Sequence, residues 1–402
     1  MKNIAIIAEF NPFHNGHQYL IDEIKTRYEP DNVIVVMSGN FVQRGDLAII
    51  DKWRRAEAAI HCGANLVLEL PVPFAFQNAQ VFAEGALAII SKLDIDRICF
   101  GTESDDIEDL AKIAGLLTDE SSDFKISLQN SLKQGVSFPK AMSMTLVNEM
   151  PAELLSPNNI LAIEYMKTIN RREYKITACQ IKRKGSSYNS ELIVDNLSSA
   201  TSIRKALFQG SYEDVKNNVP DASYGLLDDF YKENTGFNSM DRLFDVLKYK
   251  IISSDQSSLK NIYDMGEGLE NRILKKIEGA ENFESFIMSI KSKRYTYLRI
   301  RRILLNILLN LTKDTYHGLS VDDITYAKVL ATDNQGRGFL RANSDRLNFL
   351  TRKSDFNPLN ASSTDITIND LTDYSTKIYY LAINSRLLNN ENRMNPFVKK
   401  DG

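Results

Sequence analysis

At 402 residues the chain exceeds what one hydrophobic core usually serves, which predicts two domains. With 43% apolar and 25% charged residues it has the composition of a folded globular protein, excluding long disordered or repetitive tracts. A net charge of −3 excludes a global nucleic-acid footprint, so any RNA contact must come from a local basic patch.

The first strand is predicted at Ile4–Ala8, an apolar run bounded by Asn11-Pro12, and a helix at His17–Lys25. Further strands are expected at Val33–Met37, Asn65–Leu70 and Arg97–Phe100. Between them fall helices at Asp51–Cys62, capped by Asp51 and closed by Gly63, and at Val81–Lys92. This alternation predicts βαβ units with right-handed crossovers and a ligand beyond the carboxyl ends of the strands. Residues 103–170 read as mainly helical, with Ser156 and Pro157 as a start signal before Ile160–Ile169. A fifth strand is predicted at Lys175–Ile181, and a helix from Ser199 to Phe208 ends at Gly210.

From about residue 215 the alternation stops. Helices are predicted at Met240–Ile252, Glu267–Ile277, Phe283–Ile290 and Tyr295–Leu311. Beyond them come a short strand at Ala327–Ala331, a turn at residues 334–338, a helix at Asp373–Leu388 and a frayed tail from Asn389. The fold class is therefore α/β: a Rossmann-like parallel-sheet domain over 1–212, followed by a mainly helical C-terminal domain over 213–402. No run reaches the about eighteen apolar residues of a membrane span, and no basic stretch leads into a long apolar segment at the start. A cytoplasmic protein without membrane association is expected. Cys62, Cys99 and Cys179 are far apart, in no metal spacing, and are expected as reduced thiols. The metal-site expectation is none.

The chemistry concentrates behind the first strand. The chain has four histidines, and His14 and His17 share one face of the first helical turn with Gly16 between them. A helix N-terminus carries unpaired N–H groups and a partial positive charge. Two imidazoles and a glycine there describe a polyphosphate site. At their ordinary pKa near 6.5 the histidines can also take on charge beside the anion.

Ala8-Glu9-Phe10-Asn11-Pro12-Phe13-His14-Asn15-Gly16-His17 resembles the signature of the HIGH-type nucleotidyltransferase superfamily, in which a strand precedes Gly-x-Phe-Asp-Pro-x-His-x-Gly-His. Ala8 replaces the usual Gly and Asn11 the usual Asp. Ser199-Ala200-Thr201-Ser202-Ile203-Arg204 is similar to the second signature, a Ser/Thr-rich turn that starts a helix with a basic residue. The resemblance narrows along the whole chain to the tRNA(Met) cytidine acetate ligase family. It is carried by Met37-Ser38-Gly39-Asn40-Phe41-Val42-Gln43-Arg44-Gly45, Asp51-Lys52-Trp53-Arg54, Glu69-Leu70-Pro71, Phe100-Gly101-Thr102-Glu103, Pro157-Asn158-Asn159-Ile160-Leu161, Ile181-Lys182-Arg183 and Lys293-Arg294-Tyr295-Thr296.

That resemblance implies an ATP-dependent ligase that activates acetate as acetyl-adenylate and acetylates N4 of the wobble cytidine of elongator tRNA(Met). It implies His14, His17 and Arg204 as catalytic. It also implies an ATP-contacting element of Ile7, Ala8, Glu9, Phe10, Asn11, Pro12, Phe13, His14, Asn15, Gly16, His17, Gln18, Tyr19 and Leu20, with Gly101, Asn158, Arg183, Thr201 and Ser202 as further nucleotide contacts. Judged without the family, Gly101 reads as a plain turn, Asn158 as a helix cap and Arg183 as a solvated basic turn. Mg²⁺ is expected to arrive with ATP, and Lys52 and Arg44 are possible phosphate or RNA contacts.

Lys291, Lys293, Arg294, Arg299, Arg301 and Arg302, interleaved with Tyr295 and Tyr297, suit phosphate contact and base stacking. Lys293, Arg294, Arg299, Arg301 and Arg302 are the RNA-binding candidates. The plainer reading is an amphipathic helix with a solvated basic face. Two other functions stay open at this point: an adenylyltransferase acting on a small phosphate metabolite, and a catalytically inactive nucleotide-binding module. A monomer and a homodimer are both compatible with the sequence.

Overall fold

The apolar runs of the N-terminal half become neighbouring strands because each is too uniformly hydrophobic to leave a face in water. The computed structural model of the chain describes residues 2–119, 122–133, 156–184 and 197–400, with positions 141, 144, 145 and 154 besides. Its strands begin with β1 (Asn3–Ala8), β2 (Asn32–Ser38), a hairpin of β3 (Phe41–Val42) and β4 (Asp46–Leu47), and β5 (Leu66–Leu70). β6 (Arg97–Thr102) and β7 (Thr177–Lys182) follow. Every residue of β2 and β5 is buried.

In the main sheet the order runs β5-β2-β1-β6-β7, all parallel. The chain thus steps outward from β1 to β2 and β5, then returns to lay β6 and β7 on the other side of β1. The crevice between β1 and β6, at their carboxyl ends, is where such a sheet receives a ligand. Helices α1 (Asn15–Tyr28), α2 (Lys52–His61), α3 (Ala79–Ile90), α4 (Pro157–Arg172) and α5 (Ala200–Phe208) fall close to expectation. Asp51 caps α2, its carboxylate accepting the Arg54 backbone N–H at 3.0 Å. The expected helical stretch 103–170 contains Ile107–Asp119 and Ser122–Lys133 before α4, while residues 134–155 lie almost wholly outside the described residues.

The second half supplies the predicted helices, among them Phe244–Ile252, Leu269–Ile277, Phe283–Ile290 and α6 (Tyr297–Leu308). Beyond them the chain departs from expectation. β8 (Tyr326–Thr332) pairs antiparallel with β5, with Leu66 opposite Thr332. The sheet therefore draws on both sides of the expected 212/213 boundary. The reason is that β5 would otherwise leave the edge of a fully buried strand unpaired. β9 (Asn348–Leu350) and β10 (Phe397–Val398) both run parallel to β8.

Three local expectations change with it. Residues 334–338 are not a turn but the start of α7 (Asn334–Ala342), capped by Asp333, whose carboxylate accepts the Gly336 N–H at 2.8 Å. Gly336 is there for close approach, since a Cβ would stand 2.0 Å from the Asn65 carbonyl oxygen. The helix expected at 373–388 is α8 (Ser363–Leu381), opened by a Ser362–Asp365 capping box that a polar Ser/Thr/Asp stretch disguises. The tail is ordered through α9 (Asn390–Arg393) and β10 because it carries Glu391 into the interior.

Glu391 meets Lys52 at 2.9 Å, Lys52 meets Glu69 at 2.7 Å, and Lys328 completes the group through Glu391. Lys52, Glu69 and Glu391 are buried. Burial alone would raise the Glu391 carboxyl, but the two ammonium groups override it and hold it at about 2. Lys52 is thus committed to an internal ion cluster, and the expectation of a phosphate or RNA contact there is corrected. The cysteines are buried free thiols, with Cys99 and Cys179 register partners on β6 and β7. Among the described residues no helix is long and apolar enough to cross a membrane.

Candidate active site

β1 delivers the chain to the sheet's carboxyl edge, where the loop to α1 bends sharply. Phe10 takes φ +47°, in the left-handed region a bulky side chain rarely occupies, and the Asn11–Pro12 peptide is cis. His14 is the N-cap of α1, and its Nδ1 accepts the Gly16 N–H at 3.0 Å. His17 Nδ1 accepts the His14 N–H at 3.2 Å. The two imidazoles thereby close a reciprocal cap and stack with centroids 3.7 Å apart. Gly16 makes room for it: a Cβ there would stand 2.8 Å from His14 Cε1.

These bonds decide the protonation. With both Nδ1 atoms accepting, each ring carries its hydrogen on Nε2. Burial, then Arg183 and Arg204, pushes His14 down to about 3. Burial, then His14 and Arg183, lowers His17 well below its ordinary value. In the free protein burial and the neighbouring arginines therefore keep both rings neutral. They are neutral donors.

The second signature meets the first directly. Ser199 caps α5, its Oγ accepting the Ser202 N–H at 3.1 Å. Arg204, one turn on, donates to the Asn11 carbonyl at 2.7 Å and to Thr201 Oγ1 at 3.2 Å. Two helix N-termini and an arginine thus converge on one loop. Ser202 does not join them: it is buried and its hydroxyl donates to the Ser199 carbonyl at 2.8 Å.

Across the crevice, Gly101 on β6 faces Arg183 just past β7. A Cβ at Gly101 would stand 3.1 Å from Arg183 Cγ. Glu103 organises this side, accepting from Ser156 Oγ at 2.6 Å and from Asn158 Nδ2, with Arg183 Nε at 3.8 Å. Glu103 was missed as a site residue although it ends the quoted Phe100–Glu103 motif; a carboxylate beside a glycine at a strand end was the available signal. Glu9 accepts the Gln43 N–H at 2.7 Å.

Most of these residues line one cavity of about 910 Å³, with Glu103, Ser156 and Ser202 behind it. Ile7, Ala8, Glu9, Phe10, Asn11, His14, Gly16, His17, Tyr19, Leu20, Gly101, Asn158, Arg183, Thr201 and Arg204 face it, and so does Arg44. Pro12, Phe13, Asn15 and Gln18 do not. Phe13 is buried against Phe10, Asn15 Nδ2 donates to the Asn217 carbonyl, and Gln18 bonds Asp22 and the Cys62 carbonyl. They shape the loop from behind.

The basic helix divides in an unexpected way. Lys293 and Arg294 are exposed. Arg299 pairs with Asp264 at 2.7 Å. Arg301 pairs with Asp46 at 2.6 Å, donates to the Gly45 carbonyl at 3.1 Å and lies over Phe283 and Tyr297. Tyr295 is buried, its hydroxyl on the Glu267 carbonyl, and the Tyr297 hydroxyl bonds Glu284. The tyrosines are packing groups here, which corrects their reading as stacking platforms. Arg302 lines the cavity, and so do Arg294 and Arg299. An uninterrupted solvated basic face is not what forms.

The arrangement suits a polyphosphate with an apolar-walled nucleoside: donors and positive groups gather where β1 and β6 part. Among the described residues no group of three or more His, Cys, Asp or Glu could hold a metal ion.

The family profile described as HIGH Nucleotidyl Transferase matches residues 1–393. A tRNA(Met) cytidine acetate ligase of Thermoanaerobacter sp. (strain X514) is 37% identical over 407 residues, covering 99% of this chain and 100% of that one. One from Clostridium perfringens (strain ATCC 13124) is 39% identical over 355 residues, covering 85% and 87%. The crystal structure of apo Thermotoga maritima TmcAL superposes with a TM-score of 0.93 at 29% identity, each chain fully covered. The same protein bound with alpha-thio ATP gives 0.91.

Proposed function

This chain belongs to the tRNA(Met) cytidine acetate ligases of the HIGH nucleotidyl transferase family, and on that premise we propose that it uses ATP to activate acetate as acetyl-adenylate and passes the acetyl group to N4 of the wobble cytidine of elongator tRNA(Met). Two steps are needed because a carboxylate does not react with an amine at neutral pH and the cytidine amine is a poor nucleophile. First, an acetate oxygen attacks the α-phosphorus and the bond to pyrophosphate breaks, its electron pair leaving with pyrophosphate. Then N4 attacks the acetyl carbonyl carbon, the carbon–oxygen bond to AMP breaks, and N4 sheds one proton as AMP leaves.

The protein's part in the first step is positioning and charge stabilisation. His14 and His17 present Nε2–H to the phosphate oxygens on which charge grows, while Arg204 and Thr201 hold the triphosphate. Neutral imidazoles are preorganised for this because they need no proton from solvent. Ala8, Phe10 and Leu20 wall the nucleoside, Gly101 permits its close approach, and Glu103 aims Arg183 and Asn158 at it. Mg²⁺ would come in on the triphosphate, since among the described residues no group of three or more His, Cys, Asp or Glu could hold it. The chemistry belongs to residues 1–212, with tRNA binding assigned to the helical part of 213–402.

The observation that carries this reading is the junction of the two signatures, Arg204 donating to the Asn11 carbonyl at 2.7 Å beside the stacked histidines. Incubating the protein with ATP, labelled acetate and total tRNA tests it: label is expected in tRNA(Met) as N4-acetylcytidine. AMP appearing on a small phosphate compound, with no label in tRNA, would sink it.

A further inference from the structure

Two of the three cysteines meet inside the sheet. Cys99 on β6 and Cys179 on β7 are in-register partners on neighbouring parallel strands. Their Cα atoms are therefore about 4.8 Å apart, inside the roughly 4.4–6.8 Å across which a disulfide closes. Both side chains join the apolar cluster that holds Ile21 and Ile24 of α1, so they share the face of the sheet that α1 covers. The Cys99 thiol donates a hydrogen bond to the Cys179 sulfur.

The two sulfurs have different surroundings. Arg97 Nη1 donates to Cys179 Sγ at 4.0 Å, and the Tyr28 hydroxyl donates to it as well. Tyr28 ends α1, and the Arg97 guanidinium lies over its ring at 5.4 Å. Arg97 is exposed and Tyr28 half-buried, so Cys179 lies directly beneath the surface while Cys99 is deeper. Three donors around one sulfur favour the thiolate, which is the reactive form. The hydrogen bond from Cys99, against burial and with those from Tyr28 and Arg97, lowers Cys179 below the ordinary thiol range. Cys62 shows what the surroundings contribute: it is equally little exposed, at 7%, yet burial and then Asp22 push it up to about 12.

We propose that Cys99 and Cys179 are a dithiol site for hydrogen peroxide, built into the nucleotide-binding sheet. The Cys179 thiolate attacks one peroxide oxygen and the O–O bond breaks. Cys179 becomes a sulfenic acid, and the other oxygen departs as hydroxide and takes up a proton. The Cys99 sulfur then attacks the Cys179 sulfur, the S–O bond breaks, and the hydroxyl leaves with the Cys99 proton as water. Two thiols lose two electrons in all, and the peroxide becomes two waters. The new bond stands two residues before Gly101 and four before Arg183, both of which line the cavity. Disulfides favour Cα separations of about 5.5–6 Å, wider than the strand spacing, so the bond wedges β6 from β7. A Cβ on Gly101 would stand only 3.1 Å from Arg183 Cγ, so this side of the crevice has little slack to absorb the shift.

The test treats the folded protein with hydrogen peroxide and maps its cysteines by non-reducing peptide mass spectrometry, with dimedone present to trap sulfenic acid. Wild type is expected to give a linked Cys99–Cys179 peptide pair that dithiothreitol undoes, with Cys62 unmodified. Cys99→Ser should instead accumulate a dimedone adduct on Cys179, Cys179→Ser should leave Cys99 a thiol, and Arg97→Gln should slow oxidation about tenfold. By calorimetry the disulfide form should bind ATP about fivefold or more weakly, and dithiothreitol should restore it. Oxidation of Cys62 as fast as Cys179, or no linked pair before the protein unfolds, would overturn the proposal. So would an ATP affinity that the disulfide leaves unchanged. None of these readouts depends on transfer to tRNA.

Discussion

Two groups of buried charge sit on either side of β1, and they are built to opposite rules. In the Lys52–Glu69–Lys328–Glu391 cluster each sign is matched, and the distances are those of contact ion pairs. In the cavity the signs are not matched one to one: arginines crowd two neutral histidines, and Arg204 is lowered chiefly by burial, with Asp46 and Glu9 opposing it. The first group has its counter-ions within the chain. The second has acidic neighbours that only partly offset burial, and an anion would offset more of that desolvation cost. Charge buried with matched partners holds the C-terminal segment to the sheet; an excess of one sign makes a site.

The largest effect should come from unbalancing the closed cluster. Lys52→Met leaves Glu69 and Glu391 facing each other and should cost about 3–5 kcal/mol in denaturant unfolding. A loss under about 1 kcal/mol would mean the cluster does not anchor the tail. The reverse pattern is expected in the cavity: Arg204→Leu should cut acetyl-adenylate formation by about 10²–10³ while unfolding shifts by under about 1 kcal/mol. Comparable damage to stability would erase the contrast.

A smaller effect follows from pH. His14 is held at about 3 in the folded chain against an ordinary 6.5, so between those values the unfolded state binds more protons. The contribution is full well above pH 6.5 and falls as pH drops, by about 1.4 kcal/mol for His14 between pH 7.5 and 5.5, with His17 adding in the same direction. His14→Asn keeps a capping acceptor and should flatten that acid limb in thermal melts; an unaltered slope would place the protons elsewhere. Smallest is Gly101→Ala, whose Cβ meets only the flexible Arg183 side chain at 3.1 Å. It should raise KM for ATP severalfold and leave the melting temperature within a degree or two, and a loss as large as that of Arg204→Leu would show that Arg183 cannot yield.

Much of the site was legible in the sequence because its parts are local. The strand–loop–helix at residues 4–19 and the Ser/Thr turn at 199–204 each declare themselves within a few positions, by apolar run, turn residue and cap. What stayed hidden was long-range. Nothing near Lys52 announces that its partners lie at Glu69 and Glu391, and no local pattern says that β8 closes on β5. The α6 arginines looked alike in sequence, yet Asp46, far off in the chain, takes Arg301 away from the cavity that Arg299 and Arg302 line. Protonation was hidden for the same reason: the neutrality of the histidines depends first on burial, which only the assembled fold imposes.

The pairing of β8 with β5 also bears on how the chain is made. Once β5 leaves the ribosome its outer edge, buried in the finished fold, has no strand to meet until residues 326–332 follow. At about 5–20 residues per second that interval of roughly 250 residues lasts about 12–50 s. During it the nascent sheet presents a sticky border to other chains, a hazard that high contact order brings to many β-containing folds. A product cut short before β8 would keep both nucleotide signatures and still carry that open border, so incomplete chains should be conspicuous to chaperones and proteases well before they could consume ATP.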